Sequence, residues 1–99
     1  MNVKQCQSLD ELRVEIDVLD DTIVELIAAR NQYIHQAASF KESVEEVKSD
    51  ERVEDVLNRV RHKAITLGLS PNIITELYSL MIDKMIEAEI SEFRNTTAI

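Results

Sequence analysis

The stretch "LIAARNQYIHQAASFK", residues 26–41, decides how this chain is read. Leu26, Tyr33, Ala37 and Phe40 recur at helical spacing and define one face of a helix. Arg30 falls on that same stripe, and Lys41 follows it eleven residues later. Two cations on a core-facing seam need a reason, because an unpaired buried charge is among the costliest things a fold can contain.

Upstream, Ser8 and Glu11 spell a capping box ahead of an apolar series. Leu9, Leu12, Ile16, Leu19, Ile23 and Leu26 keep to spacings of three and four and lead into Arg30. Neither Gly nor Pro interrupts the run, so the expected helix extends through Lys41, roughly 50 Å at 1.5 Å per residue. Downstream, "ESVEEVKSDE" reads as a charged connector, and Ser49 or Asp50 can cap the next helix. Val53, Val56, Leu57, Val60, Ala64 and Leu67 give that second helix its apolar face, with Gly68 suited to its end. Ser70 and Pro71 open a third helix, with Ile74, Leu77, Met81, Met85 and Ala88 along one side. The tail "NTTAI" is expected to fray.

The bulk composition agrees with this all-α reading. Ninety-nine residues fit one domain, 1–99. One Gly, one Pro and four aromatics leave little turn chemistry for a sheet. A formal charge of −8, with no basic stripe, argues against nucleic acid. Cys6 is alone, so neither an internal disulfide nor a thiolate metal cluster is expected. No leader-like start and no apolar run of membrane-spanning length is present, which makes the cytoplasm the expected compartment and gives no role to a membrane.

A 50 Å helix carries more apolar stripe than two shorter helices can cover, and heptad-like spacing over about four heptads suits packing in an oligomer. A helical homodimer is the simplest solution. An extended monomer and a coiled-coil adaptor are the other two.

On one helix, Arg30 and Lys41 would be separated by about three turns, roughly 16 Å, and two long side chains could converge on a small anion. The ordinary alternative is that each pairs with a carboxylate or reaches out to water. Arg13 lies roughly 42 Å from Lys41 along a straight helix. If both serve one site, they come from different subunits; alone, Arg13 has Asp17 four residues on as an ion-pair partner. Arg52 sits in the first turn of the second helix, where a free cation works against the dipole. Glu89 shares a stripe with Ile82, Ile86 and Phe93, an apolar edge for a carboxylate. His35 and His62 lack a second ligand at metal spacing and read as surface or satisfied residues. No nucleophilic triad, Gly-rich phosphate loop or metal motif is present.

With "SLDELRVEIDVLDDTIVELIAARNQYIHQAASFK", "DERVEDVL" and "GLSPNIITELYSLMIDKMIEAEI" set in order, the chain resembles the all-helical, type II chorismate mutase family. It is most similar to that family's isochorismate-pyruvate lyase branch, which makes salicylate for siderophores. The resemblance spans nearly the whole chain and implies a three-helix fold in an intertwined homodimer with two equivalent sites. It matches Arg30 and Lys41 to the cations that hold a substrate carboxylate and the ether oxygen. It matches Arg13 to the arginine supplied by the partner subunit, and Arg52 to a further substrate-side arginine. After that arginine the mutases carry Glu, whereas Val53 here is as in the lyases, and the connector from Lys41 to Arg52 is short, as in the lyases. Glu89 stands where the family usually has an ether-binding Gln; some fungal mutases have Glu there.

The implied chemistry is pericyclic and uses no cofactor and no metal. A dianionic small molecule, isochorismate or chorismate, is folded so that its enolpyruvyl arm lies over the ring. Cations at fixed positions supply charge where the breaking C–O bond becomes electron-rich. The lyase reading makes salicylate and pyruvate from isochorismate. The mutase reading makes prephenate from chorismate, and a non-catalytic helical dimer or regulatory partner is the alternative of another class.

Overall fold

The computed structural model describes residues 2–97. The architecture is all-α, as expected: α1 Leu9–Ala38, α2 Val44–Val47, α3 Asp50–Thr66 and α4 Pro71–Thr97, with no strand among the described residues. Three of these are long helices, and α2 is an addition to the expected scheme. The chain divides into two units, one up to Tyr33 and one from Ile34 on.

The first unit is the N-terminal segment and most of α1. Ser8 opens the helix: its Oγ accepts the Glu11 N–H at 3.1 Å, and the Glu11 carboxylate accepts the Gln7 N–H at 3.1 Å. Lys4 adds ion pairs to Glu11 at 3.3 Å and Glu15 at 3.0 Å. Asp10 and Glu11 place negative charge at the positive end of the helix dipole. Along the stripe read from the sequence, Leu9, Leu12, Ile16, Leu19, Ile23 and Leu26 all stand exposed, and Tyr33 is 72% exposed. Val14, Val18 and Val24, off that stripe, are exposed as well.

In the second unit α1 stops at Ala38, not at Lys41 or beyond. The cause is local. The Ser39 hydroxyl donates to the Gln36 carbonyl at 2.8 Å, competing for an acceptor at the helix end. Phe40 N–H then bonds Ala37 O at 3.0 Å and Lys41 N–H bonds Ala38 O at 3.3 Å, a tightened last turn that ends the helix. Lys41 therefore lies beyond α1, and the shared helical face drawn through Arg30 and Lys41 does not exist.

The charged connector contains α2. Ser43 Oγ accepts the Glu46 N–H at 3.2 Å, and the Glu46 carboxylate reaches back to the Glu42 N–H at 2.6 Å. This is capping-box logic, and "SVEE" carries its S-x-x-E signature. Val47, at the end of this single turn, is buried.

Ser49 caps α3, its Oγ accepting the Arg52 N–H at 3.3 Å. At the other end Gly68 adopts φ +73°, a left-handed backbone that side-chain-bearing residues resist. Leu69 N–H bonds Ala64 O at 2.9 Å and Gly68 N–H bonds Ile65 O at 3.1 Å, the two bonds of a Schellman motif. Ser70 and Pro71 then start α4, as read from the sequence, with Ile74 N–H on Ser70 O at 3.4 Å. Helix α4 keeps Asn95, Thr96 and Thr97 helical, against the expected fraying. Ala98 and Ile99, the rest of that tail, lie outside the described residues.

The core of this unit is Ala38, Val47, Val56, Ala64, Ile82 and Met85, contributed by the last turn of α1, α2, α3 and α4. The inward face of α4 thus runs Ile82, Met85, Glu89, at spacings of three and four. Leu77 and Ala88, placed on the apolar side from the sequence, are exposed; Met85 of that set is buried.

Candidate active site

Glu89 continues the buried face of α4, one helical turn beyond Met85, and is only 4% exposed. Among the described residues it is the buried charged side chain. Its Oε2 has no hydrogen-bond partner, an exception to the rule that buried polar atoms are satisfied. The nearest charge is the Lys41 ammonium, 4.0 Å away, a distance that allows Coulomb attraction but no hydrogen bond. Burial pushes the Glu89 carboxyl above its ordinary value, against the opposing pull of Lys41. The sequence alone left that balance open. Burial is the larger influence.

Lys41 reaches this place from the turn after α1. Its Nζ donates to the Glu46 carbonyl in α2 at 3.2 Å, and its side chain is about three-quarters buried. The short helix therefore gives Lys41 a backbone acceptor and fixes where its charge sits. An ammonium with one of its three donors engaged and an unsatisfied carboxyl oxygen, 4.0 Å apart, leave hydrogen-bonding capacity side by side.

The other residues singled out from the sequence are distributed as follows. Arg52 and Val53 lie in the first turn of α3, where Asp50 and Glu51 also stand and offset the cation's unfavourable position near the dipole. The Arg52 side chain is exposed, and Val53 is half-buried. Arg13 and Arg30 lie on α1 in the first unit. Arg13 is exposed, and among the described residues it forms no ion pair with Asp17; Arg30 is half-buried and engaged with a neighbouring group. The structure thus brings Lys41 and Glu89 together directly.

Sequence reasoning missed one contributor to this place, Glu46, and the partner of His35, which is surface-exposed and satisfied as read from the sequence. Glu46 holds Lys41 through its carbonyl, a role no side-chain pattern encodes, although the Ser43–Glu46 box announces the turn that presents it. His35 and Glu92 form a contact of 2.9 Å between the last turn of α1 and α4. Their separation of 57 residues hides it from any local pattern. His62 is satisfied within its own helix, with Nδ1 2.8 Å from the Asn58 carbonyl. Among the described residues no group of three or more His, Cys, Asp or Glu stands together to hold a metal ion, and no helix is long and apolar enough to cross a membrane.

Comparison with known proteins adds two findings. A family model described as chorismate mutase type II matches residues 12–90, a span that includes Arg13, Arg30, Lys41, Arg52, Val53 and Glu89. The isochorismate pyruvate lyase of Pseudomonas aeruginosa is 29% identical over 93 residues, which cover 94% of this chain and 92% of that protein.

Proposed function

Because the chain belongs to the chorismate mutase type II family and is a pericyclic enzyme of that family, we propose that it is an isochorismate-pyruvate lyase. In this reaction the C–O bond to the enolpyruvyl group breaks while a ring hydrogen moves to the departing methylene carbon. The ring becomes salicylate, and the side chain leaves as pyruvate. The observation that carries the reading is the Lys41–Glu89 couple, with one orphaned buried oxygen and 4.0 Å between the charges. Such a couple has unused donor capacity for one ether oxygen. Lys41 donates to that oxygen as it gains negative charge, and protonated Glu89 donates beside it. An ionised Glu89 could only accept and would repel the same oxygen. The burial that raises its pKa extends the pH range over which it can donate.

Arg30 and Arg52 bind the substrate carboxylates in this reading, and Arg13 comes from the partner subunit of a homodimer. The exposed apolar stripe of α1 supports that dimer. Val53 favours the lyase over the mutase, because an apolar side chain there offers no acceptor for the ring hydroxyl of chorismate. The name of the Pseudomonas aeruginosa relative points the same way. We take residues 1–99 as one catalytic domain that works in the cytoplasm on a dianionic small molecule, its salicylate destined for a siderophore.

Glu89 keeps a second reading in play, since some mutases of the family carry Glu at that place. Offering isochorismate and chorismate separately to purified protein, with product identification, distinguishes the outcomes. Salicylate plus pyruvate is expected from isochorismate. Prephenate alone would move the assignment to the mutase, and no product from either substrate would leave a non-catalytic dimer.

A further inference from the structure

The Lys41–Glu89 couple has a neighbour that the proposed reaction does not use. His35 Nδ1 lies 2.9 Å from Glu92 Oε2. Glu92 follows Glu89 by three residues on α4, and so lies one turn along a neighbouring face. His35 precedes the buried Ala38 by one turn, on the last stretch of α1 before the turn that carries Lys41. Two polar contacts therefore link the same two pieces of chain: His35 to Glu92, then Lys41 to Glu89. The outer pair is nearly half-exposed, with side chains at 46% and 44%, whereas the inner pair is shielded at 28% and 5%. A pair so exposed contributes little to global stability. What it does constrain is where the end of α1 meets α4.

We propose that His35 and Glu92 are positioning residues that register the end of α1 against α4 and thereby set the placement of Lys41 opposite Glu89. This rests on the functional reading of that couple but concerns its geometry, which can be measured without substrate. A carboxylate only accepts, so Nδ1 carries the hydrogen of this contact, in the neutral ring or the charged one.

The test uses the full chain with His35→Leu, Glu92→Gln and the swap His35→Glu with Glu92→Lys. The first readout is the titration of the Glu89 side-chain carboxyl by carbon-13 NMR. Either single variant should move its midpoint down towards that of an ordinary glutamate, because loosening the α1 end admits water to a carboxyl raised chiefly by burial. The swap should move it back. The second readout is turnover of isochorismate, where kcat should fall about tenfold in the single variants, as expected for a small misplacement of a reacting group. KM should change less than kcat, and the swap should recover activity. A Glu89 midpoint unmoved in both folded single variants overturns the positioning role, whatever the turnover. Recovery of neither readout in a folded swap overturns it as well. If the wild type turns over no isochorismate, the functional reading fails while the NMR titration still decides the geometric claim.

Discussion

Glu89 concentrates what a single residue contributes here. The sequence shows a carboxylate on an apolar edge, next to Ile82 and Ile86, and two opposing influences on its proton. Only the packed structure resolves them, because how far Glu89 is buried depends on how α4 packs against the rest of the chain, and there it is only 4% exposed. The direction of the shift makes a stability prediction. In the unfolded chain Glu89 ionises near its ordinary 4.5, and in the folded chain it holds its proton to higher pH. Above 4.5 the unfolded state thus binds fewer protons than the folded one at this site, so the contribution is fully present below 4.5 and is lost as pH rises through the folded value. Subtracting the urea-unfolding free energy of Glu89→Gln from that of the wild type, pH by pH, isolates it. The difference should decline with rising pH over that window; a flat difference would mean that Glu89 is not shifted. Activity should follow the same proton, falling in the wild type as Glu89 ionises and falling less in the Gln variant. Lys41→Ala should lower kcat by a factor equivalent to about 3 to 4 kcal/mol, the usual worth of a preorganised donor aimed at developing charge. Its helix content by circular dichroism should be unchanged.

At the scale of the elements, most starts and stops were legible, because caps are short-range chemistry. Ser8, Ser49, Gly68, Ser70 and Pro71 all do what their types and positions suggest. The end of α1 was not legible. Nothing between Leu26 and Lys41 breaks a helix by propensity, and the stop comes from Ser39 taking a carbonyl while the following residues pack as a turn. The charged composition of 42–51 similarly masked α2, whose Ser43–Glu46 signature was outweighed by the surrounding acids. That small element has a measurable part to play. Ser43→Ala removes its cap and should cost about 1 kcal/mol in stability. More tellingly, it should accelerate hydrogen exchange at the Glu46 amide and reduce turnover, since the Glu46 carbonyl seats Lys41. Unaltered exchange together with unaltered turnover would count against α2 as the seat of that lysine.

For the molecule as a whole, the legible part was the class of fold and the identity of the charged residues; the illegible part was their assembly. Arg13 and Lys41 illustrate this. Each stands out in the sequence, yet neither periodicity nor charge says whether the two serve one site. The exposed leucines, isoleucines and valines of α1 add up to a helix that is apolar on more than one side, and such a helix is ordinarily buried. Light scattering at micromolar concentration should give the mass of two chains, and the unfolding midpoint should rise with protein concentration. Mixing Arg13→Ala with Lys41→Ala protein, each nearly inactive, should restore activity, because one site in every heterodimer then has both residues intact. A folded monomer by scattering, or mixing without recovery, would return Arg13 to its own chain or to no role at all.

The bare stripe of α1 also has a consequence for dosage. If the site is shared between subunits, as proposed, an isolated chain is not half an enzyme but none. Below the dissociation constant the number of working sites scales with the square of the number of chains, so halving expression leaves about a quarter of the output by mass action. A cell making this protein sparingly would sit on a threshold, and a modest rise in synthesis would switch the flux on steeply without any regulator acting on the enzyme itself.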